Sequence, residues 1–498
     1  MSISDISPIG LPVSLKYDQL PSISDAVSNY QVSVSPSGLT QVGPISTDTA
    51  GGTPFVQNDI GFVNTAFVSQ NIDFQIPSGQ NENVFLDTRE TFLSFRLVVN
   101  CTQTPTGGSA LAMNLISSAS SFIESLSLFS NNIPVEQIYN YNILYNQLLN
   151  SSVNQAERYG PFSIAQGCDV DTHTGCNLNF TATGTMYYNF SVPLISIIGL
   201  NTAGVSGKLF PVGSIGNLLL RVQTTSLLPF SSSATATNIT QQPIFQVSLD
   251  NWNLNMSYVN IGEVSGQLLK QTLYDCKFFI KSSTYTGANA SIASGSSGNV
   301  SIPLQIRNSS VKSLFWQFSV NRVNRSANGY FDGINLSAIS MNANIGGIKY
   351  PNRPMNPTNR PSECYMNYLC AWGAHGTKNI GGLMFRGSYG ATLNPVAGSD
   401  SSIVVPTTGG LRLTLQVETT TAGASNIVSS FPHMHFLGLN LERISGSLFS
   451  GVNTRMSPPF IEMTIATATD LNATCYAFAL SDCILKIDSA TKTLEVLI

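Results

Sequence analysis

Three stretches in the first half of this 498-residue chain are answered, in the same order, by three stretches in the second half. Asn83 to Cys101 (NVFLDTRETFLSFRLVVNC) is answered by Asn299 to Asn324 (NVSIPLQIRNSSVKSLFWQFSVNRVN). In each, a short β segment leads into an aromatic strand, and Phe95-x-Leu97 matches Phe318-x-Val320. Ser127 to Leu144 is answered by Ser340 to Leu369. Each holds a strand, an Asn- or Gly-rich turn, Ile-Pro or Tyr-Pro, and then Asn-Tyr in a short helix (Asn140-Tyr141 and Asn367-Tyr368). Leu218 to Thr225 (LLLRVQTT) is answered by Leu413 to Thr420 (LTLQVETT). The partners lie about two hundred residues apart, far beyond the period of a solenoid. The economical reading is one domain used twice.

A chain of this length exceeds one compact core, so two domains are the natural expectation. Hydrophobic residues make up 42% and charged residues 10%, against about 25% charged in an ordinary soluble protein. Ser, Thr, Asn and Gln fill the surface instead. A neutral polar surface suits a protein that packs against copies of itself, because few charges must be desolvated. It equally suits an extracellular β protein.

The net charge of −4 argues against general affinity for nucleic acid, which needs clustered Lys and Arg. Arg322, Arg325, Lys349, Arg353 and Arg360 form the densest basic patch. Broken up by Pro and Asn, it reads as loop solvation, with a genome-facing or acid-facing surface as the alternative. The N-terminus has no basic stretch followed by an apolar core, so it is not read as a signal peptide. The longest apolar run, near Phe190 to Leu200, is too short to span a bilayer. Synthesis in the cytoplasm and no transmembrane segment are therefore expected. Cys101, Cys168, Cys176, Cys276, Cys364, Cys370, Cys475 and Cys483 follow no framework spacing and read as free, buried thiols.

Residues 1–60 are polar, rich in Ser, Pro and Gly, and weakly periodic. They read as an extended N-terminal arm outside any core. Strands dominate afterwards. At Gly410 to Glu418, Leu411, Leu413, Leu415 and Val417 alternate with Arg412, Thr414, Gln416 and Glu418, the mark of a half-buried strand. From Phe245 to Tyr258 the apolar phase switches from odd to even positions at Asp250-Asn251, which predicts a bulge, a turn or a bend between sheets. Helix is expected at about Pro134 to Asn150 and Ser362 to Trp372. Many short strands with Gly, Pro and Asn turns indicate a mainly β chain of sandwich or jelly-roll type. The expected division is an arm at 1–60, a first domain at 61–265 and a second at 266–498, with the boundary near Asn260 to Leu273.

Catalytic motifs are lacking. Gly204 to Leu209 imitates a phosphate loop, but Thr202 stands where the earlier glycine belongs and Leu209 where Ser or Thr would bind magnesium. No H-E-x-x-H, paired C-x-x-C or G-x-S-x-G occurs. Cys168, Asp169, Asp171, His173 and Cys176 hold metal-ligand chemistry, yet loop carboxylates are usually just solvated. His433 and His435 would share a face if extended, but supply only two ligands. Neither cluster is taken as a metal site, so no catalytic, cofactor-binding or metal residue is assigned. Phe92, Phe95, Phe315, Trp316 and Phe318 read as core, not as a base-stacking platform.

The order of these signals resembles the double jelly-roll major capsid proteins of tailless icosahedral double-stranded DNA viruses, and within them those of Polinton-like viruses and virophages. Ser191-Val192-Pro193-Leu194-Ile195, then Leu209-Phe210-Pro211 and Leu218 to Val222, carry the resemblance in the first half. Ile345 to Pro351 with Arg353-Pro354 carry it in the second, while Leu393 to Val396 matches less well. The resemblance implies two tandem eight-stranded jelly rolls with short helices in loops. It further implies a homotrimer with a pseudo-hexagonal outline that tiles an icosahedral shell. Other copies, penton and minor capsid proteins would be the partners, the virion the location, and host cytoplasm the place of synthesis. No enzyme activity, cofactor or sequence-specific nucleic-acid contact is implied. The arm would order on neighbouring trimers or on minor proteins at the shell's inner face. A two-domain carbohydrate-binding or adhesin protein and a virion spike protein are the alternatives. A glycan-processing jelly roll would need two convergent carboxylates, which do not stand out.

Overall fold

The computed structural model describes residues 21, 26–37, 42–46, 69–103, 111–152, 161–167, 174–180, 183–201, 209–225, 229–234, 244–272, 277–293, 295–320, 333, 336, 338–372, 435–443, 449–466 and 473–497. In chain order the first half contains β1 (Ser28–Val34), β2 (Val42–Ser46), β3 (Asn71–Ile76), β4 (Val84–Gln103), β5 (Leu111–Ile116), β6 (Ile123–Ser130) and β7 (Ile133–Tyr139). It continues with α1 (Tyr141–Ser152), α2 (Pro161–Gln166), β8 (Thr174–Phe180), β9 (Gly184–Pro193), β10 (Leu218–Thr224), β11 (Phe230–Ala234) and β12 (Ile244–Asn260). After α3 (Gly262–Thr272) come β13 (Lys277–Ile292), β14 (Gly298–Pro303), β15 (Val311–Val320), β16 (Ala338–Ile345) and β17 (Ile348–Met355). The chain closes with α4 (Pro361–Ala371), β18 (Phe436–Asn440), β19 (Phe460–Ile465), β20 (Ala473–Asp488) and β21 (Thr493–Leu497).

The duplication is explicit in the sheets. The first half pairs its strands in the orders β1-β12-β4-β9 and β3-β10-β6-β7. The second pairs them as β13-β20-β15-β18 and β14-β19-β16-β17. Numbering the eight strands of each half in chain order gives one pattern twice: 1-8-3-6 in one sheet and 2-7-4-5 in the other. All these pairings are antiparallel. Two such four-stranded layers per half are the double-sheet jelly roll, and the chain is a double jelly roll. β2 adds to β12, β21 adds to β20, and β5, β8 and β11 form a separate three-stranded sheet.

Period-two burial drives the layers together. On β10, Leu218, Leu220 and Val222 point inward while Leu219, Arg221 and Gln223 are partly exposed. On β4, Leu93, Phe95, Leu97 and Val99 are buried. Phe95 stacks on Trp252 at 4.2 Å and meets Phe190 edge-on at 5.7 Å, which fixes the centre of the first core. Trp252 is brought inward by the predicted phase switch. Asn251 sits at φ 51°, and the register of β12 on β4 shifts between Asp250 and Asn253.

Four expectations need correction. Residues 28–34 are not outside the fold: β1 is the first strand of the first roll, in full register from Ser28 opposite Asn260 to Val34 opposite Leu254. It lies at the sheet edge with mostly exposed side chains, so it holds by backbone pairing and shows little hydrophobic pattern. The helix expected from Pro134 begins at Tyr141, and Ile133–Tyr139 is β7. An edge strand tolerates a proline because one side of its backbone needs no partner, and Asn140 at φ 53° turns the chain from strand into helix. The β segment at Asn83 belongs to β4 itself, whereas Asn299 lies in β14; by strand order the counterpart of β14 is β3. The counterpart of β10 is β19, at Phe460–Ile465, and the matching Leu413 to Thr420 lies outside the described residues, as does Gly410 to Glu418. Alternating apolar residues fit any half-buried strand, so that likeness did not fix position. The helix expected at Ser362 to Trp372 is α4, with Pro361 at its first position.

Candidate assembly interface

In the second roll, β15 is buried on both faces from Ser313 to Ser319. β15 sends Leu314, Trp316 and Phe318 into its own core. The residues between them point to the first roll. Phe315 belongs to an apolar cluster that is continuous with the first roll's core and also takes in Phe278, Ile280, Tyr285, Phe436 and Phe478. The sequence SLFWQFSV is therefore apolar or uncharged throughout, as a strand buried on both faces requires.

The cover is α1. Gln147 Nε2 donates to Gln317 Oε1 at 2.7 Å, and Ser151 shares a hydroxyl–hydroxyl hydrogen bond with Tyr368 of α4. Tyr368 and Trp372 close around Phe315, Trp372 stacked at 3.9 Å. Phe85 of β4 meets Phe278 of β13 edge-on at 6.3 Å. Burial of such rings supplies most of the adhesion, and the amides give it register.

Backbone packing tightens the joint further. A Cβ on Gly287 of β13 would lie 2.7 Å from the Tyr139 carbonyl oxygen of β7, so only glycine permits this approach. At the rim, Lys492, in the turn between β20 and β21, donates through Nζ to the Gly79 carbonyl at 2.6 Å. Its own carbonyl accepts from the Gly216 N–H at 2.8 Å.

A carboxyl is enclosed in this joint. Glu136, on β7, is buried. Its Oε2 accepts from the Ile197 N–H at 3.0 Å and bonds the Ser196 hydroxyl; its Oε1 accepts from Thr284 Oγ1 of β13 at 3.0 Å. Burial raises the carboxyl to about 7, against the pull of the Ser196, Ile197 and Thr284 hydrogen bonds. Sequence reading places it instead at the positive end of the helix expected from Pro134, whereas it lies on a strand. The available signal was its period-two alignment with buried Ile138 in IPVEQIY.

Other residues singled out by sequence fall elsewhere. Phe95, Phe315, Trp316 and Phe318 are core, and Phe92 is half-buried. Lys349 pairs with Glu462 at 2.7 Å, and Arg360 and Arg353 with Glu363 at 2.9 and 3.7 Å, so the described part of the basic patch carries its own counter-charges. Arg322 and Arg325 lie outside the described residues, as do His433 and residues 168–173. His435 is buried, and its backbone N–H donates to the Gly333 carbonyl at 2.9 Å. Among the described residues no group of three or more His, Cys, Asp or Glu is placed to hold a metal ion. None of the helices among them is long and apolar enough to cross a membrane. Cys364, Cys370, Cys475 and Cys483 are free thiols, and Cys101 is buried.

No family model and no curated protein matches the sequence. Solved structures do. A chain in the cryo-EM structure of the Sputnik virophage has 12% sequence identity and a TM-score of 0.54, with 95% of this chain and 89% of that chain covered. A chain of the PBCV-1 virus capsid has 13% identity and a TM-score of 0.49 over 94% of this chain and 96% of that one. The mavirus major capsid protein has 10% identity and a TM-score of 0.49 over 92% and 89%. The Sputnik likeness agrees with the strand order in giving a double jelly roll.

Proposed function

We propose that this chain is the major capsid protein of a double-stranded DNA virus, and that three copies form a pseudo-hexagonal tile of its icosahedral shell. One observation carries the reading. The same eight-strand pattern occurs twice, fused by an apolar joint, in a chain whose fold matches a virophage chain over 95% of its length. Two like modules per chain let a threefold assembly present six like corners. A rigid joint is what such a tile needs, because a flexible one would blur the lattice angle.

The surface supports the same reading. A chain with 10% charged residues desolvates few charges when its sides are covered. Exposed apolar side chains stand on several faces: Tyr187 and Tyr188 on edge strand β9, and Val264 and Leu268 on α3. The work of such a chain is assembly, not a reaction. Its partners would be further copies, penton and minor capsid proteins, its location the virion, and its place of synthesis the host cytoplasm. The finer placement with Polinton-like viruses and virophages rests on the sequence resemblance. With β1 in the first roll, we take that roll to begin by Ser28 and the joint between rolls to run through α3. Pro21 already accepts from the Leu209 N–H, so residues ahead of Pro21 are then the candidate arm toward neighbouring tiles.

Negative-stain electron microscopy of the purified chain tests the proposal. Class averages with threefold symmetry and a hexagonal outline are expected. Elongated single two-lobed particles at every concentration would overturn it.

A further inference from the structure

Glu136 is placed where its charge state must be felt by both rolls. Its carboxyl touches three segments: its own β7, the loop after β9 through Ser196 and Ile197, and β13 of the other roll through Thr284. The titratable groups that face it are the Tyr141 phenol, at the start of α1, and the Cys483 thiol, on β20. Burial pushes both upward, so both are neutral at physiological pH. The loop and β13 offer only neutral groups: the Ser196 and Thr284 hydroxyls, the Ile197 N–H and the Asn201 side-chain amide. None of these neighbours carries a positive charge, so the ionised carboxylate is solvated by hydrogen bonds alone in an apolar joint.

We propose that Glu136 is a proton-operated latch between the two rolls. With the carboxyl neutral, the joint closes without a buried charge. With it ionised, a negative charge sits inside the joint, and opening that joint to water becomes easier. The sign follows from linkage. The folded-state value, about 7, lies above the ordinary 4.5. The stabilisation is complete below 4.5 and is lost as pH rises through 7. Acidification therefore tightens this joint, opposite to the behaviour of a carboxylate held in a salt bridge. The latch lies within one chain and holds whether or not that chain tiles a shell.

Hydrogen–deuterium exchange on the full-length protein from pH 5.5 to 8.5, corrected for intrinsic exchange rates, tests it. In the wild type, protection of peptides covering 281–286 and 194–198 should fall with rising pH by a factor on the order of 10 to 10². In Glu136→Gln it should stay flat within about twofold, a group that does not titrate contributing no slope. Equal slopes in the two proteins, or a flat wild type, would overturn the proposal. Thr284→Val provides a second test if the glutamine variant fails to fold. It keeps the carboxyl but removes a donor to its charged form, so the midpoint should move to higher pH, and an unmoved midpoint would also overturn the latch.

Discussion

Gln147 of the first roll and Gln317 of the second meet end to end at 2.7 Å, and neither side chain is exposed to solvent. The bond spans 170 positions of sequence and lies in a continuous apolar cluster. Gln147→Ala removes the amide donor to the Gln317 carbonyl and opens a void. A loss of about 2–4 kcal/mol is expected, read as an earlier urea midpoint. Replacing both glutamines by methionine should recover part of it, because the two amides leave together and only the buried Ser319 hydroxyl loses its Gln317 donor.

Glycine substitutions offer a matched pair. Gly287→Ala drives a Cβ to 2.7 Å from the Tyr139 carbonyl oxygen, so β13 must move off β7. A loss of about 1–3 kcal/mol is expected. Gly184→Ala meets nothing within 4 Å and should change the thermal midpoint by little, about 0.5 kcal/mol or less.

The bulge on β12 should discriminate by backbone conformation. Asn251 occupies φ 51°, while Asp250 beside it holds Arg96 through two bonds of 2.7 Å. Asn251→Gly should be tolerated within about 0.5 kcal/mol, whereas Asn251→Val should cost about 1–2 kcal/mol, since a β-branched residue resists the left-handed region. The two variants' melting curves decide it.

Buried thiols should be slow to react. Burial pushes the Cys364 thiol up to about 11 and raises Cys475 and Cys483 as well. At pH 8 little thiolate is present at these positions. Of these four cysteines, half-buried Cys370 should be labelled first by a thiol reagent, with Cys364, Cys475 and Cys483 labelled only after denaturation. Peptide mass mapping of the labelled chain checks the order.

Legibility in the sequence followed locality. The block from Ser127 to Leu144 and its partner from Ser340 to Leu369 were readable because strand, turn, proline and helix come in succession. They became β6-β7-α1 and β16-β17-α4, with the first helix starting later than expected. The bulge at Asn251 was readable because a phase switch shows in a single strand. β1 was not readable, because an exposed edge strand holds through backbone atoms that every residue shares. The partner of β10 was misplaced for a related reason: β19 presents Ile461, Met463 and Ile465 inward, a pattern with no unique signature. The joint escaped notice most completely. Glu136, Gln147, Thr284 and Gln317 are residue types that ordinarily face water. Only the docking of one roll on the other buries them.

The mass of the purified chain in solution tests the central claim most directly. Size-exclusion chromatography with light scattering should give three times the chain mass, unchanged on dilution through the micromolar range. A species that keeps the mass of one chain at high concentration would contradict the account.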